Sequence, residues 1–581
     1  HKPSRIYFAS QRLWKSENRG DSWEPISADL TTNTPRTQTP FFGKKQGWDN
    51  PWDVYAMSNY SSITNISESP KREGLLYVGT DDGNLHVTED GGKSWRKIPF
   101  SSLPGLPLQA FVNDVKADVH DENTVYAVFD NHKSGDLKAY VYKSTDKGKT
   151  WTLITKGIAE RTITWRIVQD HVKKNLLFLG TEFGVYISLT SGDSWMKFSA
   201  GLPTISVRDL AIQKRENDLV LATFGRGIYI LDDFSALRLF DEESAKKEAF
   251  IATPRKGYWY QQRSVLGQGG KASQGDEYFI AENPDFGVQI TYYMANALKS
   301  SKDKRKEQES EQLKAQKEVS IPDWMVLEKE EIEGDARVMV AIYAPSGELI
   351  RMLEAKNGKG FQRITWNLRG KAVGTITPKN KDRKNQGPMV APGIYQVQLL
   401  KIEGQKCHEI GNKVSVEIEV IPGFSASIKG MNPSEAAAFW VKLDQTYSDV
   451  ELFNEKVSQV KGRIETMHKA LTLSNKIMAE EFTELSSFSD DFLSIQLIIY
   501  GSKIKQQIGE ENEYPTVYHY LGVVSTGVGD ATYGPTPTHL KCMNAAVTLL
   551  EKAKKELEVI SNALPSIEKK LRDAGIKMEL D

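Results

Sequence analysis

Carboxylates in short turns are the first residues of this chain whose types and spacing could support chemistry. Asp81 and Asp82 precede Gly83, and Glu182 stands two positions before Gly184. Hydrolysis of a glycosidic bond needs two carboxyl groups about 5–9.5 Å apart, one of them with a raised pKa. Alternatively, both segments are hairpin turns in which Asp and Gly serve only the backbone. Asp81, Asp82 and Glu182 are therefore candidate catalytic residues, with both interpretations open.

A second set of candidates combines tryptophans, carboxylates and one arginine as ligand-binding residues. Residues 28–58 are longer than a plain connector, since loops beyond about 12–15 residues are usually functional or disordered. Exposed aromatic rings suit the C–H faces of a sugar, and carboxylates accept hydrogen bonds from its hydroxyl groups. The alternatives are a lid packed on the protein surface for the tryptophans and a salt bridge or carbonyl contact for the arginine. The candidates are Trp48, Asp49, Trp52, Asp53 and Arg226.

A box with the pattern S/T-x-D-x-G-x-x-W occurs four times in the first 195 residues, and its tryptophans are 72, 56 and 44 residues apart. The short polar side chains bind their own turn backbone, glycine takes a positive φ, and tryptophan returns to the apolar layer. Asn18 and Thr190 replace the aspartate in two boxes, for which we expect looser turns. The predicted structural residues of the boxes are Asn18, Trp23, Asp90, Trp95, Asp146, Trp151 and Trp195.

Strand-like runs surround each box and predict four antiparallel strands about every 45 residues, which is the blade of a β-propeller. Residues 1–240 are predicted to form about four and three-quarter blades, with an innermost strand missing from the first. A closed ring does not begin within a blade. We therefore expect the start of the propeller to be missing, and an N-terminal fragment or a second chain to complete it.

The boxes resemble the Asp-box (BNR) repeat, and residues 4–240 resemble the C-terminal portion of bacterial sortilin-like propeller proteins labelled glycosyl hydrolase. The resemblance implies that the boxes lie on turns away from the ligand face. The opposite turns, which contain Asp81, Glu182 and Arg226, then share a face with the segment 28–58. Sialidase chemistry is not supported, because the Arg-Ile-Pro segment of that family is absent. In xyloglucanase-like relatives the catalytic aspartates lie on separate propeller halves, which implies an incomplete catalytic pair here.

The remaining sequence changes its periodicity twice. Residues 241–424 contain short strands and turn signals typical of an immunoglobulin-like β-sandwich, with a charged insertion at 297–335. Residues 430–581 show apolar stripes at helical spacing and are predicted to form a helical bundle, with a long glycine-rich loop at 514–537. The predicted fold class is mainly β with an α-helical C-terminal domain: a partial Asp-box β-propeller, a β-sandwich and a helical bundle.

Composition excludes several classes of function. The 581 residues carry a formal net charge of -1, which argues against an electrostatic nucleic-acid binder. The 2 cysteines are too few for a disulfide framework or a four-thiolate zinc site, and the 9 histidines form no HExxH or HxH pattern. The sequence therefore predicts no cofactor, no metal, no nucleic-acid partner and no membrane-spanning segment.

Three functions are compatible with these observations. The first is a secreted, periplasmic or cell-surface binding scaffold that recognises a glycan, a peptide or a protein on the propeller face. The second is a glycoside hydrolase whose active site is shared with missing propeller blades. The third is a subunit of a bacterial cell-envelope assembly.

Overall fold

The structure, a computed structural model, describes residues 1–40, 44–45, 47, 60–199, 201–262, 283–372, 387–423, 432–529, 531–532 and 534–579. It confirms the predicted fold class, because antiparallel sheets precede a helical region at residues 433–573. The chain divides into two compact units, His1–Ala245 and Lys246–Asp581.

In its described residues, the first unit contains five antiparallel sheets that follow one another along the chain. The first consists of β1 (Ile6–Ala9), β2 (Leu13–Ser16) and β3 (Glu24–Pro25). The second consists of β4 (Ile63–Glu68), β5 (Leu76–Thr80), β6 (Leu85–Thr88) and β7 (Arg96–Ile98). The third consists of β8 (Phe111–Ala117), β9 (Val125–Asn131), β10 (Asp136–Ser144) and β11 (Thr152–Leu153). The fourth consists of β12 (Thr164–Gln169), β13 (Leu177–Thr181), β14 (Gly184–Ser188) and β15 (Met196–Phe198). The fifth consists of β16 (Val207–Gln213), β17 (Asp218–Thr223) and β18 (Ile228–Leu231), and the short helices α1 (Ala236–Leu239) and α2 (Glu242–Lys246) follow it.

Consecutive sheets pack face to face, as the blades of a propeller do. In β5, Leu76 and Val78 point towards the first sheet and pack against Leu13. Leu75, just before β5, and Tyr77 within it belong to a separate cluster with residues of the third sheet. Because side chains alternate between the two faces of a strand, one short apolar strand joins two neighbouring sheets.

The boxes form turns held by their own side chains. Asp90 Oδ1 accepts hydrogen bonds from the Thr88 hydroxyl at 2.8 Å and from the Ser94 amide at 2.9 Å. The box tryptophan then returns to the sheet, and Trp95 Nε1 donates to the carbonyl of Ile26 in the preceding repeat at 2.8 Å. The box therefore closes a turn and also links two neighbouring sheets.

The expectation of looser turns at Asn18 and Thr190 stays a prediction. The contacts of Thr190 with the hydroxyl groups of Ser188 and Ser194 are 3.3 and 3.2 Å long, whereas the equivalent contacts of Asp146 are 2.7 and 2.6 Å long. Asn18 Oδ1 accepts a hydrogen bond from the Ser22 amide at 3.0 Å, and Thr190 Oγ1 accepts one from the Ser194 amide at 3.0 Å. A neutral oxygen thus replaces the carboxylate oxygen at nearly the same distance, because the turn requires an acceptor and not a charge.

Replacement of Asp146 by alanine should destabilise the first unit by about 1–3 kcal/mol, since it removes the acceptor of several turn hydrogen bonds. Asp146 accepts from the Thr150 amide at 2.9 Å and the Thr150 hydroxyl at 2.6 Å. Urea unfolding followed by tryptophan fluorescence measures the effect. Asp193→Ala, which removes an exposed carboxylate from another box, is the control. Equal stability of the two variants would contradict the structural role of the box acceptor.

The second unit begins with two sheets that share one apolar core. The three-stranded sheet has the order β19 (Ala249–Ile251), β21 (Val288–Met294) and β24 (Gly360–Trp366). The five-stranded sheet has the order β20 (Gly257–Trp259), β26 (Lys406–Val420), β25 (Gly393–Glu403), β22 (Arg337–Tyr343) and β23 (Leu349–Ala355). Two helices, α3 (Ser301–Lys314) and α4 (Trp324–Glu333), occupy the predicted charged insertion.

The C-terminal helices complete the second unit. They are α5 (Pro433–Leu473), α6 (Ala479–Ile499), α7 (Lys503–Gln507), α8 (Val517–Gly529) and α9 (Pro537–Asp573). The helices share a core with the sandwich, in which the rings of Trp259 and Trp440 stack with centroids 5.8 Å apart. The two parts are therefore packed together within one unit.

The predicted long loop over residues 514–537 is wrong, because most of it forms helix α8. Val517, Leu521, Val524 and Val528 are buried and lie on one side of that helix. Their burial outweighs the cost of roughly 1 kcal/mol for each glycine inside a helix.

Candidate functional site

The turns between the second and third strands of each complete sheet carry the candidate residues of the first unit. Asp81 and Asp82 lie between β5 and β6, His132 between β9 and β10, and Glu182 between β13 and β14. The corresponding turn of the fifth sheet, between β17 and β18, contains Arg226. The boxes follow the third strands, so they lie at the opposite ends of the sheets.

A cleft of about 70 Å³ lies among these turns, and we call it the carboxylate cleft. Its charged and phenolic lining residues are Arg36, Tyr60, Asp81, Asp130 and Lys133. The cleft therefore combines two acidic and two basic side chains with one phenol. Burial raises the pKa of Tyr60 to about 12 and lowers the pKa of Lys133.

Asp81 is a carboxyl group of the cleft whose pKa is raised towards neutral pH. It is buried, and its Oδ1 accepts a hydrogen bond from the Ser62 amide at 2.8 Å. Burial raises the pKa of Asp81 to about 6 against the effect of this hydrogen bond, and the charge of Asp82 raises it further. A carboxyl group with such a pKa can hold and donate a proton under mildly acidic conditions.

Asp82 is adjacent in sequence but has a different environment. Its Oδ2 accepts hydrogen bonds from the Thr32 amide at 2.6 Å and the Thr32 hydroxyl at 2.8 Å. The other oxygen accepts a bond from the Thr80 hydroxyl. These contacts attach the segment after β3 to the second sheet, which is a positioning role.

Asp130 is a lining residue of the cleft that the sequence analysis did not single out. It is buried, and its carboxylate contacts Nδ1 of His132. The His132 ring stands edge-on to Trp165, with centroids 5.9 Å apart. The length of the turn at 130–135 was the available signal in the sequence, whereas the contact with Trp165 was not readable from it.

Glu182 belongs to a cluster that links the fourth and fifth sheets. Its Oε2 accepts hydrogen bonds from Trp165 Nε1 at 3.1 Å and the Ser206 hydroxyl at 2.9 Å, and it lies 3.6 Å from Arg208 Nη2. The Arg208 guanidinium lies 3.7 Å from the centroid of Trp165 and 5.4 Å from that of Phe224. Glu182 is therefore engaged by neighbouring side chains on two sheets.

The His132 ring contacts Trp165 and so links the carboxylate cleft to this cluster. We call the cleft and the cluster together the turn face. It extends from Tyr60 to Phe224, whose side chain is 71% exposed. Arg226, two residues after Phe224, is exposed. The other ligand-binding candidates, Trp48, Asp49, Trp52 and Asp53, lie outside the described residues.

Neither a metal centre nor a membrane span is found in the part of the chain that the structure describes. There, no three histidine, cysteine or acidic side chains are grouped so that they could hold a metal ion. No helix in that part is both long and apolar enough to cross a membrane.

No protein-family model matches the chain. A 172-residue segment is 27% identical to a probable oligoxyloglucan-reducing end-specific xyloglucanase of Neosartorya fischeri, covering 26% of this chain and 18% of that protein. A 177-residue segment is 24% identical to a xyloglucanase of a Paenibacillus species, covering 26% of this chain and 15% of that protein. The matches thus span less than a fifth of either relative.

Solved structures with some similarity include β-propeller proteins. A GH74 xyloglucanase from Xanthomonas campestris aligns with a TM-score of 0.31 at 13% identity, covering 70% of this chain and 63% of that one. A GH74 enzyme from Niastella koreensis aligns with a TM-score of 0.29 at 13% identity, covering 40% and 34%. YCF48 bound to a D1 peptide aligns with a TM-score of 0.25 at 14% identity, covering 38% and 58%. At these TM-scores we draw no functional argument from the three structures.

Titration of Asp81 should make the stability of the protein depend on pH. Its folded-state pKa of about 6 lies above the unfolded value of about 3.9, so between these values the folded state binds more protons than the unfolded state. The free energy of unfolding should therefore fall by about 2–3 kcal/mol as pH rises from about 4 to above 6.

Chemical denaturation of the wild type and of Asp81→Asn across this pH range tests the expectation. The variant should lack the fall, whereas Asp193→Asn, at an exposed site, should retain it. Parallel pH profiles of the wild type and Asp81→Asn would contradict the raised pKa.

Proposed function

We propose that the turn face of the first unit binds a glycan. The observation that carries the proposal is the combination, on one surface, of an exposed aromatic ring with carboxylates and a stacked guanidinium. Phe224 offers an exposed ring for a sugar, and Glu182, whose side chain is partly exposed, supplies an acceptor for hydroxyl groups. Asp130 is buried and holds the partly exposed His132 ring, which is a further polar group on this surface. The xyloglucanases that match this chain over part of their length support a polysaccharide as the ligand class.

The proposed binding mode is complementarity across turns from several sheets. Arg208 is held over Trp165 and beside Glu182, so its guanidinium is in place before a ligand arrives. Pre-ordering reduces the conformational entropy that is lost on binding. Such a site orients a ligand without any covalent step.

A glycoside hydrolase is the second candidate, and the raised pKa of Asp81 favours it specifically. Asp81 would protonate the leaving oxygen of the glycosidic bond, as the general acid of such enzymes does. The opposing carboxylate would come from Asp130 or from sheets outside this chain. Either candidate implies an extracytoplasmic location, whether secreted, periplasmic or on the cell surface, since polysaccharides of the xyloglucan type are met there.

Binding of xyloglucan oligosaccharides should weaken roughly tenfold in Phe224→Ala, because we expect this ring to be one of the few contacts whose truncation costs about 1.4 kcal/mol. Isothermal titration calorimetry is the measurement. Trp324→Ala removes a similarly exposed ring (75%) in α4 of the second unit and should leave the affinity unchanged.

Incubation of the same protein with xyloglucan and other polysaccharides separates the two candidates. If the wild type releases new reducing ends and Asp81→Asn does not, although it still binds the glycan, the protein is a hydrolase that uses Asp81. Binding without turnover on any glycan would establish the scaffold. Binding of peptides but no glycan would overturn both.

We further propose that the first and fifth sheets each pack against another sheet of the same kind, supplied by an N-terminal fragment or a second chain. Strands β1 and β5 are equivalent, because each pairs with the first residue of a box. Leu76 and Val78 of β5 are buried against the first sheet. Their counterparts Ile6 and Phe8 are exposed.

The fifth sheet shows the same exposure on the opposite face. Strands β6 and β18 are the third strands of their sheets. Leu85 and Val87 of β6 are buried in the cluster shared with the third sheet. Their counterparts Ile228 and Ile230 are exposed, Ile230 by 58%. A subunit of a cell-envelope assembly, in which neighbouring chains cover such faces, is compatible with this arrangement.

The exposed face of the first sheet and the exposed face of the fifth sheet are both apolar and point in opposite directions along the series of sheets. The face of one copy can therefore pack against the other face of a second copy, and copies of the isolated chain should associate head to tail. Sedimentation velocity should show a molecular mass that increases with concentration. Phe8→Asp and Ile230→Asp should each weaken association at least tenfold, while their equimolar mixture should form a complex through the two intact faces.

Val172→Asp, at an exposed site on neither face, is the control and should associate like the wild type. A wild-type protein that stays monomeric at all concentrations would contradict the proposal.

A further inference from the structure

The second unit contains a cavity that the proposed function does not use. Its volume of about 560 Å³ lies within the range of about 300–1,000 Å³ that is typical of ligand sites. The walls come from the residues that follow β20, from those that precede β21, and from β23, β24 and the turn after β24. The cavity therefore lies at the sandwich and belongs to one compact unit.

Two arginines line this cavity, Arg351 in β23 and Arg369 in the turn after β24. Arg351 Nη1 donates to the carbonyl of Gly370 at 2.9 Å, and Arg369 Nη1 donates to the carbonyl of Gly387 at 3.3 Å. Among the described residues, neither guanidinium forms an ion pair with a carboxylate. Carbonyl oxygens orient the two side chains but do not neutralise their charges.

The two positive charges act on each other. Burial lowers the pKa of Arg351, and the charge of Arg369 lowers it further. The nearby acidic groups are Asp285, an exposed lining residue, and Asp444. Burial raises the pKa of Asp444, and the positive charge of Arg369 partly offsets this rise. Two partly buried charges of the same sign destabilise the folded protein unless an opposite charge binds between them. An anion between the two guanidiniums would remove this cost.

Backbone geometry holds Arg369 in place. The preceding residue, Leu368, is buried and has a φ of 57°, a conformation that is uncommon for a residue other than glycine. The indole of Trp366 donates to the carbonyl of Arg369 at 2.9 Å and closes this turn. A strained residue that positions a charged side chain in a cavity is a recurring feature of binding sites.

The rest of the cavity matches a sugar ring better than an inorganic ion. Tyr260 and Phe286 form an edge-to-face aromatic pair with centroids 5.0 Å apart on its wall. Gln262 and Thr365 add neutral polar side chains. The volume also far exceeds that of a single sulfate or phosphate, about one or two water volumes of roughly 30 Å³ each.

We infer that this cavity binds an anionic saccharide, with its carboxylate or sulfate group between Arg351 and Arg369 and its ring against Tyr260. This cavity lies in a different unit from the turn face, and it is lined by other residues. The inference does not depend on the proposed function of the first unit.

Isothermal titration of the full chain with glucuronic acid, glucose and inorganic sulfate tests the inference. Glucuronic acid should bind at least tenfold more tightly than glucose. Arg351→Gln and Arg369→Gln should each weaken its binding at least tenfold. Arg363→Gln, at an exposed site in β24, should bind like the wild type.

Melting curves and circular dichroism of each variant distinguish lost binding from lost folding. If Arg351→Gln does not fold, Arg351→Lys, which retains a positive charge, replaces it in the test. Equal affinity for glucuronic acid and glucose would overturn the inference. So would unchanged affinity in both glutamine variants, or binding of inorganic sulfate alone.

Discussion

The face-to-face burial of alternating strand residues is the interaction on which the first unit depends. In β5 the residues Leu76 and Val78 pack in one direction, and Tyr77 packs in the other, so each inner sheet is held by both neighbours. The boxes reinforce this contact, because Trp95 and Trp195 each donate a hydrogen bond to a carbonyl of the preceding repeat. Stacking of this kind orders all the turns along two opposite ends of the sheets.

The same burial gives the candidate site its chemistry. Asp81 and Asp130 sit where strands end, close enough to the packed layer for their side chains to be buried. Burial disfavours the ionised form, which explains the raised pKa of Asp81. Asp82 uses its oxygens for the Thr32 and Thr80 hydrogen bonds, so neighbouring carboxylates have separate roles.

In the second unit, burial joins strands and helices in one core. Its sandwich and its helices share one core, with Trp259 stacked on Trp440. The cavity at the sandwich is lined by two arginines and one aspartate, whereas the cleft of the first unit is lined by two aspartates, one arginine and one lysine. The chain thus has two candidate ligand sites lined by different residues, each built within its own unit.

Short-range patterns in the sequence were sufficient to predict most strands and turns of the first unit. The boxes predicted the turns, and the strand-like runs around them predicted antiparallel strands such as β5 and β6. These predictions were possible because turn chemistry and side-chain alternation are local properties. Tertiary structure alone decided that 517–529 is helical, that Trp165, Glu182 and Arg208 form a cluster, and that Arg351 meets Arg369. These features depend on burial and on contacts between residues far apart in the chain, which no local pattern encodes.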